Sequence, residues 1–153
     1  QSLWRMYTDV ILNNKSNDRM NITSLERQST FAAELNFQLN KEWPEIGSFE
    51  KEMYGVSIPN PMGVLIDEAI IGGLSFTSAK APQSEEIVVW INAVLVQPSY
   101  RHRGIASKLI VASQSTAEKL FALTDIPELY IKVGWQVVSY DSEGTVVKYE
   151  KFT

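Results

Sequence analysis

The stretch Val94-Leu95-Val96-Gln97-Pro98-Ser99-Tyr100-Arg101-His102-Arg103-Gly104-Ile105-Ala106-Ser107 gathers the residue types that bind a small anion. An apolar run enters a basic turn, and Gly104 opens a segment that reads as a helix. The first amides of a helix have no acceptor within it, and the macrodipole is positive at that end. Gly104 lets an anion approach the backbone, and Ala106 is too small to block it. Arg101 and Arg103 add cationic groups suited to phosphate oxygens. On its own, Arg-x-x-Gly-x-Ala also fits a solvated basic turn before an ordinary helix. Two other phosphate loops do not fit, since the chain has neither Gly-x-x-x-x-Gly-Lys-Ser/Thr nor Gly-x-Gly-x-x-Gly after a strand.

Composition narrows the chemistry further. Cysteine is absent, which excludes disulfides, thiolate catalysis and thiolate-bound metals. One histidine, His102, excludes a two-histidine mechanism and argues against a metal site. The net charge of −4 opposes a general nucleic-acid partner and favours a cationic acceptor. With no bilayer-length apolar run and no signal-peptide pattern, the expectation is a cytoplasmic protein with no membrane partner. A length of 153 residues with 44% apolar content suits one domain over 1–153, with 1–19 as an N-terminal extension. A homodimer stays open.

The elements that must position the basic turn follow from periodicity. Within the extension, Tyr7–Leu12 reads as a strand and Asn13–Asp18 as a loop. Thr23-Ser24-Leu25-Glu26 has the form of a capping box with Thr23 as N-cap, and Ala32, Leu35, Leu39 and Trp43 recur at helical spacing until Pro44. A short second helix is expected over Ser48–Tyr54. Met62–Ile66 and Ala69–Phe76 read as a hairpin around Asp67-Glu68, and Ala79–Glu85 as a loop. Ile87–Val96 reads as a strand buried on both faces. A helix from Gly104 to about Thr116, a strand over Leu120–Thr124 and a short helix over Ile126–Val133, closed by Gly134, come next. A final hairpin pairs Trp135–Tyr140 with Thr145–Phe152. The order predicts a mixed α/β sandwich.

On these residues the chain resembles the GNAT family of N-acetyltransferases. The family's Gln/Arg-x-x-Gly-x-Gly/Ala motif is met by Arg101, Gly104 and Ala106, with Val96-x-Pro98-x-Tyr100 as its usual approach. Leu129-Tyr130-Ile131-Lys132-Val133-Gly134-Trp135 is similar to the family's Leu-Tyr-x-x-x-Gly-Phe/Trp segment. The resemblance covers about residues 21 to 152. The interval from Ala106 to Leu129 is shorter than the family's usual one, and His102 stands where a small residue is common.

The resemblance implies a three-layer α/β/α fold with a central twisted sheet flanked by helices. It implies acetyl-CoA as cosubstrate, no metal, and a small-molecule or peptide amine as acceptor. It further implies that the backbone amides of His102, Arg103, Gly104, Ile105, Ala106 and Ser107 bind the pyrophosphate. The backbone of Val94, Leu95 and Val96 would pair with the pantetheine arm. Tyr130 would be the general acid for the departing thiolate, although on spacing alone it reads as a packing residue. A base must take the ammonium proton. Glu85 and Glu86, just before the long apolar strand, are the first candidates, and Glu42 is the next. The alternative function is an acyl-CoA-binding module of the same fold without turnover.

Overall fold

The computed structural model describes residues 19–151; the readings of Tyr7–Leu12, Asn13–Asp18 and Phe152 lie outside them. In chain order the strands are β1 (Met20–Ser24), β2 (Glu52–Met53), β3 (Val56–Ser57), β4 (Met62–Ile66), β5 (Ala69–Lys80), β6 (Ile87–Val96), β7 (Lys119–Thr124), β8 (Gln136–Asp141) and β9 (Gly144–Glu150). The helices are α1 (Thr30–Glu42), α2 (Ile105–Ser113) and α3 (Pro127–Ile131). Seven strands form one sheet in the order β1-β4-β5-β6-β7-β9-β8, and β2 and β3 form a separate ribbon. Every pairing in the large sheet is antiparallel except β6 with β7, which α2 connects as a crossover.

Strand alternation sends side chains to two cores, which makes the fold three-layered. On one face Leu65, Ile70 and Leu95 pack against Ala32, Leu35 and Leu39 of α1. On the other, Val64, Leu74, Ile91 and Leu120 pack against Ile105, Leu109 and Ile110 of α2 and Tyr130 of α3. The α1 contact is close because Gly73 has no side chain. A Cβ there would lie 2.5 Å from the Met62 carbonyl oxygen and 2.7 Å from Leu35 Cδ1.

Local structure departs from the sequence reading in several places. Thr23 is not a helix cap. It pairs with Gly63 in β1, and the cap of α1 is Ser29, whose Oγ accepts from the Ala32 amide at 3.1 Å. The hydroxyl-x-x-Glu pattern was outweighed by sheet pairing along all of β1. Ser48–Tyr54 is not a helix. Tyr54 and Gly55 both take positive φ, turning β2 back on β3, and β5 holds this ribbon through Ser78 Oγ, which donates to the Met53 carbonyl at 2.7 Å. Strand β5 continues four residues past Phe76. Helix α2 stops at Ser113, where the hydroxyls of Ser115 and Thr116 donate to the carbonyls of Ala112 and Ser113. Strand β6 is not buried on both faces throughout, since Asn92 is exposed and Ala93 and Val94 are half-buried.

Two features of β6 open the sheet. Opposite Ser75 of β5, the register moves from Leu74↔Val94 to Phe76↔Ile91, so Asn92 and Ala93 together face one residue as a bulge. Ser75 Oγ donates to the Asn92 carbonyl across it. On its other side, β6 keeps register with β7 only at Trp90↔Phe121. Beyond that pair the two strands part, and the C-terminal half of β6 has no strand partner on the β7 side among the described residues.

Candidate active site

The parting of β6 and β7 creates a cavity of about 920 Å³. One half lies toward α2 and α3, where Val94, Val96, Arg101, Ala106, Leu129 and Tyr130 line it. Its other half lies toward α1, where Glu42, Trp43, Trp90, Leu123 and Asp125 line it. The side assignment follows from the strand period. Trp90 and Phe121 share the α1 face with their rings 5.3 Å apart, and Leu123 is two residues beyond Phe121. A Cβ on Gly144 would meet Leu123 Cδ1 at 3.3 Å and Asp125 Oδ1 at 3.4 Å, so those two side chains flank the same spot.

The basic turn leaves an open, backbone-lined space at the start of α2. Pro98–Tyr100 makes one 3-10 turn after β6, and then His102 and Gly104 take positive φ of 65° and 76°. Gly104 is the N-cap of α2 and has no side-chain cap, so the first α2 amides meet none from that residue. A Cβ on Gly104 would find nothing within 4 Å, so the chain itself does not use the space beside it. Ser107 Oγ, in the first turn of α2, is buried without a hydrogen-bond partner among the described residues. An open backbone cradle beside an unpartnered hydroxyl at a positive helix end fits a phosphate group.

The two arginines differ. Arg101 Nε donates to the Val96 carbonyl at 2.9 Å, so this side chain is partly spent on closing the end of β6. Arg103 is exposed and stands over the Tyr100 ring, 5.3 Å from its centroid. His102 is also exposed, on the turn and away from the parting of the strands.

Tyr130 sits in α3, which Pro127 starts and Gly134, at φ 102°, follows. The residue is only 5% exposed, its ring meets Trp135 edge-on at 5.1 Å, and it still lines the cavity. Its hydroxyl makes no hydrogen bond to another described residue. Burial pushes the phenol up to about 12, so the proton stays on oxygen at any working pH.

The structure does not bring Glu85 and Glu86 to this cavity. Their turn projects beyond the sheet, where Glu85 pairs with Lys80 at 2.8 Å and Glu86 with Lys119 at 3.5 Å, with side chains 88% and 59% exposed. The lining carboxylates are Glu42 and Asp125. Glu42 ends α1, and the turn after it is tied back by Asn36 and Asn40, which bond Gly47 at 2.7 to 2.9 Å. Asp125, Trp43 and Trp90 escaped the sequence reading as site residues. The one signal for Asp125 was its place at the C-terminal end of a strand parallel to β6, where open sheets present ligand-binding groups.

Residues 23–133 match the family model described as acetyltransferase (GNAT) family. No curated protein matches the sequence. Solved structures resemble the fold across most of their length. PH1933 from Pyrococcus horikoshii OT3 is 15% identical with a TM-score of 0.62, over 88% of this chain and 99% of that one. NAA60 from Arabidopsis thaliana, in complex with acetyl-CoA, is 15% identical with a TM-score of 0.58, over 86% and 99%. The aminoglycoside acetyltransferase meta-AAC0020 from an uncultured soil metagenomic sample, in complex with sisomicin, is 18% identical with a TM-score of 0.51, over 82% and 96%. These likenesses bear out the mixed α/β sheet flanked by helices.

Proposed function

The chain belongs to the GNAT family of acetyltransferases, and we propose that it moves the acetyl group of acetyl-CoA directly to a primary amine. The observation that carries this reading is the parted β6 and β7, with the α2 cradle at one end and the Tyr130 phenol against the gap. The open edge of β6 at Val94, Leu95 and Val96 supplies backbone groups for the amides of the pantetheine arm. The first α2 amides, Ser107 Oγ and Arg103 suit its pyrophosphate. Bound there, acetyl-CoA supplies an activated acyl carbon on a thiolate leaving group.

The residues then divide the proton work. Glu42 accepts the ammonium proton, directly or through one water, which frees the nitrogen lone pair to bond the acyl carbon. As the carbon–sulfur bond breaks, Tyr130 gives its proton to sulfur. The new amide nitrogen sheds its extra proton, which returns through water to Tyr130. The products are the amide and free CoA thiol, and one proton leaves by way of Glu42. A phenol raised to about 12 is a weak acid in water. The burial that raises the phenol also destabilises a thiolate formed beside it, which keeps the transfer balanced.

The test has two steps. Acetyl-CoA at about 100 times its Kd should add about 2.7 kcal/mol and raise Tm by roughly 5–10 °C. An amine panel with acetyl-CoA should then release free thiol. A melting shift with no thiol from any amine would favour the non-catalytic acyl-CoA-binding reading. No shift at millimolar acetyl-CoA would remove the donor assignment.

A further inference from the structure

The charges lining the cavity are segregated. On the donor side stands Arg101, the one cation among the described lining residues, with Nε already bonded to the Val96 carbonyl. On the α1 side stand two carboxylates, Glu42 and Asp125. Neither is in an ion pair with a described residue, whereas Glu85 and Glu86 each have a lysine. The walls between them are the indoles of Trp43 and Trp90 and the half-exposed side chains of Leu123 and Ile126. A cation can sit against an indole face, and an aliphatic stem can lie along the rest.

The reacting nitrogen must be neutral when it attacks, so a carboxylate beside it gains nothing from that nitrogen's charge at the moment of reaction. Two carboxylates on the acceptor side therefore call for a second positive charge that persists through the step. A carboxylate on the acceptor would instead be repelled by both. Resting on the N-acetyltransfer reading, the geometry points to an aliphatic acceptor with at least two ammonium groups and no carboxylate, a diamine or longer polyamine. Asp125 holds the ammonium that does not react.

Three amines with one carbon stem separate the terms: cadaverine with two ammonium groups, n-pentylamine with one, and lysine with two plus a carboxylate. Thiol release at pH 8 and low salt should give cadaverine a kcat/KM about two- to fivefold above each of the others, as expected for exposed charge pairs. The advantage should shrink at about 0.5 M salt. Asp125→Asn should raise KM for cadaverine about threefold, keep n-pentylamine within twofold, and leave Tm and the KM for acetyl-CoA unchanged. Equal rates for cadaverine and n-pentylamine, or lysine as the best acceptor, would overturn the proposal. An equal loss for both amines in Asp125→Asn would assign Asp125 a structural role and overturn it as well. If no amine of the three reacts while acetyl-CoA still raises Tm, the acceptor class fails and the donor assignment stands. If acetyl-CoA gives no shift, the underlying reading fails.

Discussion

Tyr130→Phe isolates one oxygen atom in an otherwise unchanged core. The ring keeps its edge-on contact with Trp135 at 5.1 Å. The hydroxyl bonds no other described residue, so its removal strands no partner, and stability at pH 7 to 9 should change by less than about 1 kcal/mol. Activity should fall much further. A positioned general acid contributes about 100- to 10,000-fold, and the loss should lie in kcat, because sulfur needs the proton only as the bond breaks. The KM for acetyl-CoA should hold. Thiol release under saturating substrates, with single-turnover rates to confirm that chemistry is limiting, is the assay. A second signature comes from the phenol raised to about 12 by burial. Below pH 10 it is neutral in both the folded and the unfolded chain and adds no pH dependence. Between pH 10 and 12 the unfolded chain ionises first, so the wild type loses about 2 to 3 kcal/mol that Tyr130→Phe keeps. Chemical melts across that range read the difference. Activity within twofold of wild type, with chemistry limiting, would refute the acid role. Parallel alkaline melts for the two proteins would refute the burial argument.

Gly104→Val forces a branched residue to φ 76°, which should cost about 1–2 kcal/mol through left-handed strain alone, since its Cβ meets no other atom of the chain. Its larger effect should be on acetyl-CoA affinity, with at least a tenfold rise in Kd by calorimetry; an unchanged Kd would place the anion elsewhere. Gly73→Ala should destabilise by about 1–3 kcal/mol in urea melts, because the new Cβ would press on the Met62 carbonyl and Leu35. An unchanged midpoint would mean that α1 is not seated on β5 as described.

Much of this protein was legible in its sequence because the signals were local. The run Arg101 to Ser107 carried its turn, its glycine and its helix start within seven residues. Helix α1 was visible in the spacing of Ala32, Leu35 and Leu39, and the β4–β5 hairpin in Asp67-Glu68, both of which take positive φ. Local signals also misled where a distant strand competed. Thr23 had the look of a cap and became a strand residue because Gly63 lies opposite it.

The site's second half was decided only by the tertiary structure. Glu42 and Asp125 are 83 residues apart and come to one cavity because β6 and β7 diverge after a single register pair. Glu85 and Glu86 lie next to β6 in sequence, yet their turn points them at Lys80 and Lys119. Side-chain types along a chain state what chemistry is available. Which carboxylates keep their charge free for a ligand depends on strand divergence and on the nearest lysine, and both are set by contacts between segments far apart in sequence.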